Sequence, residues 1–174
     1  MPEWDEIVDR HARLVFGVAY RILGSVHDAE DIAQDAFRET FELARRGKVT
    51  DWRGCLCRIA AFRAIDAVRR RRKFSQLDLQ QASPALNPAA EIEARELGER
   101  LRSSLPLLPR QAAVVFTMMF FEQLSRQEVA AALGMTPQAV SVALFKARKR
   151  LQEILQVDPD RVDQQNEVCH ESEP

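Results

Sequence analysis

Ile7, His11, Leu14, Val15, Val18 and Ile22 recur at steps of three and four residues, the spacing that lines one stripe of a helix. Gly24 and Ser25 interrupt the pattern. A second helix is expected to carry Ala29, Ile32, Ala33, Ala36, Phe37, Phe41 and Ala44 on one side and Asp31, Asp35, Arg38 and Glu42 on the other. Gly47 breaks it. After a short loop a third helix is predicted from about Asp51 to Lys73, apolar through its first half and closing on Arg69-Arg70-Arg71-Arg72-Lys73.

From about Phe74 to Pro88 the chain turns to Ser, Gln, Asn and Pro with few large apolar residues, which reads as a flexible linker and a domain boundary. Helical patterning resumes near Ala89 and runs to Leu105, and Pro106 and Pro109 bracket a turn. The apolar run Val114 to Phe121 fits a strand or a buried helix by periodicity alone, and the helical text on both sides favours the helix. The expected organisation is therefore a first domain over 1–73, a linker over 74–90, a second domain over 91–155 and a polar, acidic tail over 156–174. The fold class is all-α, with two small helical domains, the first of three to four helices.

The second domain contains the most specific local pattern. Ser125-Arg126-Gln127-Glu128 fits a capping box, in which the Ser hydroxyl accepts from the third helical N–H and the Glu reaches back to the Ser N–H. Gly134 suits the left-handed residue after a helix end, and Thr136-Pro137 supplies a cap and a first-turn proline for the next helix. Two helices joined by three residues make a helix-turn-helix, with Val129, Leu133, Val140 and Leu144 as its shared core and Ala130 permitting close crossing. The second helix would turn Gln138, Ser141, Val142 and Phe145 towards base edges, and Lys146, Arg148, Lys149 and Arg150 towards phosphates. The same residues could form a plain helical hairpin with a solvated basic end.

Charge changes the picture only when followed along the chain. The net charge is −1, yet residues 51–73 hold eight Lys/Arg against two Asp/Glu, whereas residues 1–50 hold seven against ten and residues 158–174 hold six acids and only Arg161. A basic helix thus survives in a near-neutral protein. No stretch approaches the roughly 20 apolar residues of a membrane span, and nothing at the N-terminus resembles an export signal, so no membrane insertion and a cytoplasmic location are expected. Cys55, Cys57 and Cys169 show no disulfide framework. Cys55 and Cys57 would point about 200° apart on a helix, so packing explains them better than metal binding, and Cys169-His170 with His11 or His27 shows no tetrahedral spacing. No phosphate loop, nucleophile-base order or carboxylate pair is found, so catalytic residues, metal and cofactors are expected to be absent and the chain is not expected to be an enzyme.

Taken together, Asp28-Ala29-Glu30-Asp31-Ile32-Ala33-Gln34-Asp35-Ala36-Phe37, Trp52-Arg53-Gly54 through Ile65-Asp66-Ala67-Val68-Arg69-Arg70, Leu105 to Arg110 and Leu124 to Leu151 resemble, in order, the motifs of the sigma-70 family of transcription initiation factors. The similarity is to its extracytoplasmic-function (ECF) group, which keeps only the second and fourth sigma domains, and it covers roughly residues 5–153. The resemblance implies that the chain binds core RNA polymerase and directs promoter-specific initiation. It implies polymerase contacts through Asp31, Gln34, Asp35 and Phe37, with Asp28 and Glu30 setting the acidic helix start. The loop from Lys48 to Gly54 would hold a base flipped from the melted downstream promoter element, and Trp52, Arg53, Arg58, Arg63, Arg69 and Arg70 would meet that DNA. Trp52 fits a stacking platform and a core residue equally. Thr136, Gln138, Ser141, Val142, Phe145, Lys146, Arg148 and Lys149 would meet the upstream promoter element. An anti-sigma partner that wedges between or wraps the two domains is also implied, and the acidic tail could instead cover basic surfaces in cis.

The sequence departs from the family pattern at three places. Ala61-Phe62 stands where an Arg-Asn pair is common, Arg63 where an apolar residue is common, and Ser141-Val142-Ala143 replaces a more polar set in the recognition helix. The last departure predicts an altered upstream-element preference, since a methyl-rich face reads thymine methyls. The rival readings are a stand-alone helix-turn-helix regulator that does not engage polymerase, and a helical interaction protein without a nucleic-acid role.

Overall fold

The computed structural model describes residues 4–75 and 89–155. The central part of the expected linker and the whole acidic tail, with Cys169 and His170, lie outside the described residues. Among those described there are seven α-helices and no strand: α1 (Trp4–Leu23), α2 (Val26–Arg45), α3 (Trp52–Ser75), α4 (Ala89–Ser104), α5 (Arg110–Phe120), α6 (Arg126–Leu133) and α7 (Pro137–Leu155). A short 3-10 turn at Leu105–Leu107 sits where the two prolines bracket the chain.

The first three helices pack on one another along their apolar stripes. Ile7, Val15, Val18 and Ile22 of α1 and Ala29, Ile32, Ala33 and Ala36 of α2 are buried against Leu56, Cys57, Ile59, Ala60, Ala64 and Ile65 of α3. Gly24 takes a left-handed φ of 68° between the first two helices, and the Ser25 hydroxyl accepts from the Asp28 N–H to start α2. His11 is half-buried, and burial lowers its pKa, which suits a packed histidine. Phe41 departs from the expected stripe: it is exposed, although its ring meets Trp4 at 4.9 Å.

In the second unit the run Val114 to Phe120 belongs to α5, and Ala112 through Met118 are all buried. A helix whose whole circumference is apolar must be surrounded, and α5 is enclosed by α3, α6 and α7. Leu105, Leu108, Val129, Val140, Leu144 and Leu151 complete its surroundings. The sequence pattern separates two domains, yet the buried residues of both form one continuous cluster, because α3 packs against α5, α6 and the 3-10 turn.

Candidate nucleic-acid interface

The helix-turn-helix forms as its sequence prescribes. Glu128 N–H donates to the Ser125 hydroxyl at 3.3 Å and Ser125 N–H donates to the Glu128 carboxylate at 2.8 Å, so both orphan donors at the start of α6 are satisfied. These bonds hold the Glu128 carboxyl below its usual pKa. Gly134 closes α6 with φ 63°, a conformation that glycine adopts without the steric cost of a Cβ. The Thr136 hydroxyl accepts from the Ala139 N–H at 3.1 Å and opens α7, which leaves α6 at 103°.

On α7, Gln138, Val142, Phe145 and Lys149 are separated by four, three and four residues and share one exposed face. Phe145 is 68% exposed and Val142 44%, and Lys146 flanks them. The polar groups nearby are already engaged: Ser141 donates its hydroxyl to the Pro137 carbonyl at 3.1 Å, and the Thr136 hydroxyl is spent on the cap. Gln138 therefore stands as the amide beside two apolar side chains and two lysines. Arg148 turns away from this face. Its guanidinium lies 5.1 Å from the centre of the Phe120 ring, over an apolar groove of about 280 Å³ lined by Leu97, Leu101, Phe116 and Leu155.

On α2, Glu30, Asp31 and Gln34 are exposed and Asp35 is half-buried beside Arg38, which pairs with it. Asp31, Gln34 and Asp35 fall on one helix face. Phe37 lies on the other side, half-buried with its ring 6.2 Å from Trp4. Asp28 is held by Arg71 of α3, and that bond keeps its carboxyl below the usual pKa. The face thus brings together Asp31, Gln34 and Asp35, with Asp28 one to two turns earlier on the same side but paired with Arg71, and it leaves out Phe37.

The basic helix α3 differs most from expectation. Trp52 is half-buried with its ring centre 6.1 Å from that of Trp4 in an edge-on arrangement, so it is anchored in an aromatic cluster and keeps part of its surface open. Arg63 donates to Glu39 and Asp35 of α2. Arg53 donates to the Glu122 carbonyl at 3.3 Å and to the Glu128 carboxylate at 3.4 Å, and Arg69 donates to the Leu108 carbonyl. Arg58 is half-buried near the Cys55 sulfur, with its Nε unpaired. Of the arginines expected at the downstream element, Arg70 alone is exposed with no hydrogen bond or ion pair among the described residues, and it acts electrostatically on Asp66 four residues earlier. Cys57 is fully buried, which pushes its thiol pKa up to about 12 and makes it inert at neutral pH.

Sequence reasoning missed Asp66, Arg110, Arg21 and Glu122. Arg110 of α5 donates to both Asp66 oxygens of α3, at 2.7 and 2.6 Å, and that pair lowers the Asp66 pKa. Arg21 of α1 reaches Glu122, whose carboxyl is buried and pushed above its usual pKa by that burial against the opposing effect of Arg21. The one signal in the text was Asp66 itself, a lone acid in the second half of a basic helix.

Two family descriptions match the sequence, Sigma-70 region 2 over residues 7–74 and Sigma-70 region 4 over residues 98–151. The chain belongs to the sigma-70 family. Among curated relatives, the ECF RNA polymerase sigma factor SigE of Mycolicibacterium smegmatis is 32% identical over 160 residues, covering 89% of this chain and 62% of that protein. The ECF RNA polymerase sigma factor SigW of Bacillus subtilis is 27% identical over 168 residues, covering 86% of this chain and 87% of its own length. These likenesses place the chain in the ECF group. The chain thus spans somewhat less than two thirds of the Mycolicibacterium relative. Two solved structures share the fold: the sigma factor RpoE in complex with the anti-sigma factor NepR from Bartonella quintana, and CnrH in complex with the cytosolic domain of CnrY. The first has a TM-score of 0.59 and 18% identity over 91% of this chain and 99% of that one. The second has a TM-score of 0.60 and 23% identity over 89% and 88%. The region 2 match spans α1 to α3, and the region 4 match runs from within α4 into α7.

Proposed function

We propose that this chain is a dissociable specificity subunit that binds core RNA polymerase and directs initiation at its own set of promoters. The observation that carries this reading is the presence, on one chain, of an acidic helix face at Asp31, Gln34 and Asp35 and a helix-turn-helix with an outward, lysine-flanked strip at Gln138, Val142, Phe145 and Lys149. An acidic face suits a basic protein partner, whereas lysines beside a protruding helix suit a phosphate backbone. The first unit would engage polymerase through Asp31, Gln34 and Asp35 and the downstream element through Trp52, Arg53, Arg58, Arg69 and Arg70, with Arg63 held by Glu39 and Asp35. The second would read the upstream element through the α7 face, with Arg148 and Thr136 supporting it from beside rather than from within the strip. Chemistry at the transcription start belongs to the polymerase, and the chain supplies binding and strand opening alone. It would work where polymerase works, in the cytoplasm, under the control of an anti-sigma protein.

Run-off transcription with purified core polymerase, on fragments from upstream of its own gene and a panel of candidate promoters, tests the proposal. Specific initiation that depends on this chain is expected. Tight promoter binding with no initiation from any fragment would replace the proposal with a stand-alone DNA-binding regulator.

A further inference from the structure

The C-terminal end of α3 carries more positive charge than the described residues neutralise. Arg69 and Arg71 are spent inside the molecule, on the Leu108 carbonyl and on Asp28, whereas Arg70, Arg72 and Lys73 make no hydrogen bond or ion pair among the described residues. These three cations border a hollow of about 490 Å³ whose far wall is Pro106 and Leu107 of the 3-10 turn. Asp66 shares that wall, but Arg110 already holds both of its oxygens. A second hollow of about 510 Å³ adjoins the first at Arg72, Pro106 and Leu107 and is bounded by Val68 of α3 and Ile154 of α7. Together they make one groove with a cationic wall and an apolar wall, and Leu107 is 36% exposed within it. Such a groove fits an acidic segment with apolar residues between its acids, because each carboxylate meets a cation while each apolar side chain leaves water.

The chain supplies a segment of that chemistry at that place. α7 runs to Leu155, whose carbonyl accepts from Arg100 at 2.9 Å, and Ile154 of its last turn already lines the groove. Residues 158–174 carry six acids against one arginine, and Val157 and Val162 lie among the first three acids, Asp158, Asp160 and Asp163. Asp158 is four residues beyond Ile154 and so has a reach of roughly 14 Å from the groove wall in an extended chain. We propose that residues 156–174 dock in this groove, with the first three acids on Arg70, Arg72 and Lys73 and the valines against Pro106 and Leu107. The inference rests on the DNA role proposed above for the basic end of α3. The docked carboxylates stand where backbone phosphates would, so the segment competes with promoter DNA for the same cations. A duplex then displaces acids of the chain rather than small counterions, which weakens its binding and flattens its salt dependence.

Methyl NMR spectra of the full chain and of a chain ended after Gln156, recorded without DNA or polymerase, locate the docking site. Shifts are expected at Val68 and Leu107, with Leu97 and Val142 unmoved. Silence at Val68 and Leu107, or shifts at Leu97 in their place, would overturn the proposal. Both chains are then titrated against a short fluorescein-labelled duplex over a salt series. Truncation is expected to tighten binding roughly fivefold to tenfold at low salt, the combined effect of three screened ion pairs, and to steepen the salt slope by about two to three. An acidic segment that repels DNA from a distance would also tighten binding when removed, so the groove is varied with it. In the Arg72→Gln, Lys73→Gln chain the segment has lost its seat, and truncation should tighten binding less than about twofold. An undiminished gain in that background sinks docking in favour of plain repulsion. Should that variant fail to fold, Asp158→Asn, Asp160→Asn and Asp163→Asn together must reproduce the truncated methyl spectrum at Leu107, and a spectrum like that of the intact chain counts against the proposal. Run-off transcription reads the proposed function separately: initiation without the methyl shifts removes only the docking, and the shifts without initiation remove only the function.

Discussion

Arg63 of α3 holds Glu39 of α2 with two nitrogens, Nη2 at 2.6 Å and Nε at 2.9 Å, and reaches Asp35 at 3.4 Å. An arginine assigned by resemblance to DNA is thus spent on the helix assigned to polymerase. Both side chains of the main pair are more than 40% exposed, so the bond is screened and stabilises little. Arg63→Ala should cost less than about 1 kcal/mol in urea unfolding. It should also change affinity for core polymerase more than affinity for DNA, because it alters the charge environment of Asp35. Native gel titration against each partner checks this, and a loss confined to DNA would return Arg63 to the downstream element.

The capping box at α6 carries a larger and more local effect. Ser125→Ala leaves the Glu128 N–H without its acceptor and should cost about 1 kcal/mol, read as a lower urea midpoint with an unchanged slope. Gly134→Ala forces a side chain into φ 63° and should destabilise by a similar or greater amount, about 1 kcal/mol or more. A midpoint unmoved by both substitutions would mean that the helix-turn-helix is held by its core alone.

The apolar pair on α7 should be visible in the bases it prefers. Val142 and Phe145 offer no hydrogen bonds, and the neighbouring hydroxyls of Thr136 and Ser141 each already bond a backbone group of α7 and its cap, so thymine methyls are the groups this face contacts best. Gln138, one turn earlier, suits adenine. An upstream element selected from random DNA by the reconstituted holoenzyme is expected to contain adenine followed by thymine. Replacing a contacted thymine by deoxyuridine deletes one methyl and should weaken binding about threefold to fourfold, the value of one buried methylene. Val142→Ala with Phe145→Ala should abolish that difference while leaving the salt dependence intact. Equal binding of thymine and deoxyuridine by the wild type would refute the assignment.

The Asp66–Arg110 pair predicts a pH dependence with a definite sign. Arg110 lowers the folded-state pKa of Asp66 below its ordinary 3.8, so the pair's contribution is present above pH 3.8 and fades as pH falls through the lowered value. Asp66→Asn should therefore be less stable than wild type at neutral pH, and the two should converge in acid. Glu122 works in the other direction, since burial raises its pKa and its ionisation opposes folding as pH rises above the ordinary 4.5. Thermal melts of wild type and Asp66→Asn from neutrality to strong acid check the first effect, and a constant gap between them would contradict it.

Local features were legible in the sequence wherever a few adjacent residues determine them. Ser125 and Glu128, Gly134, and Thr136 with Pro137 specify helix ends through bonds that span three or four residues, and each lies where the sequence placed it. The apolar stripes of α1 and α2 were equally readable, because burial of one helix face leaves a period in the text. The α7 face was legible in part: Gln138, Val142, Phe145 and Lys149 are outward, but Arg148 turns to Phe120, a ring 28 residues away. The seam between the units was illegible for the same reason. Arg110 finds Asp66 across 44 residues, Arg53 finds Glu128 across 75 and Arg21 finds Glu122 across 101, and no periodicity records such a choice. Basic residues in a helix read as DNA ligands until the acids and carbonyls opposite them are known.

Gly54 lies in the first turn of α3, where a side chain would meet the Asp51 carboxylate first and then the Ala132 Cβ of α6 at 3.0 Å. Any enlargement at this position must displace the Asp51 side chain or push α6 away from α3, so the missing side chain acts as a spacer of zero width that sets how near the two helices lie.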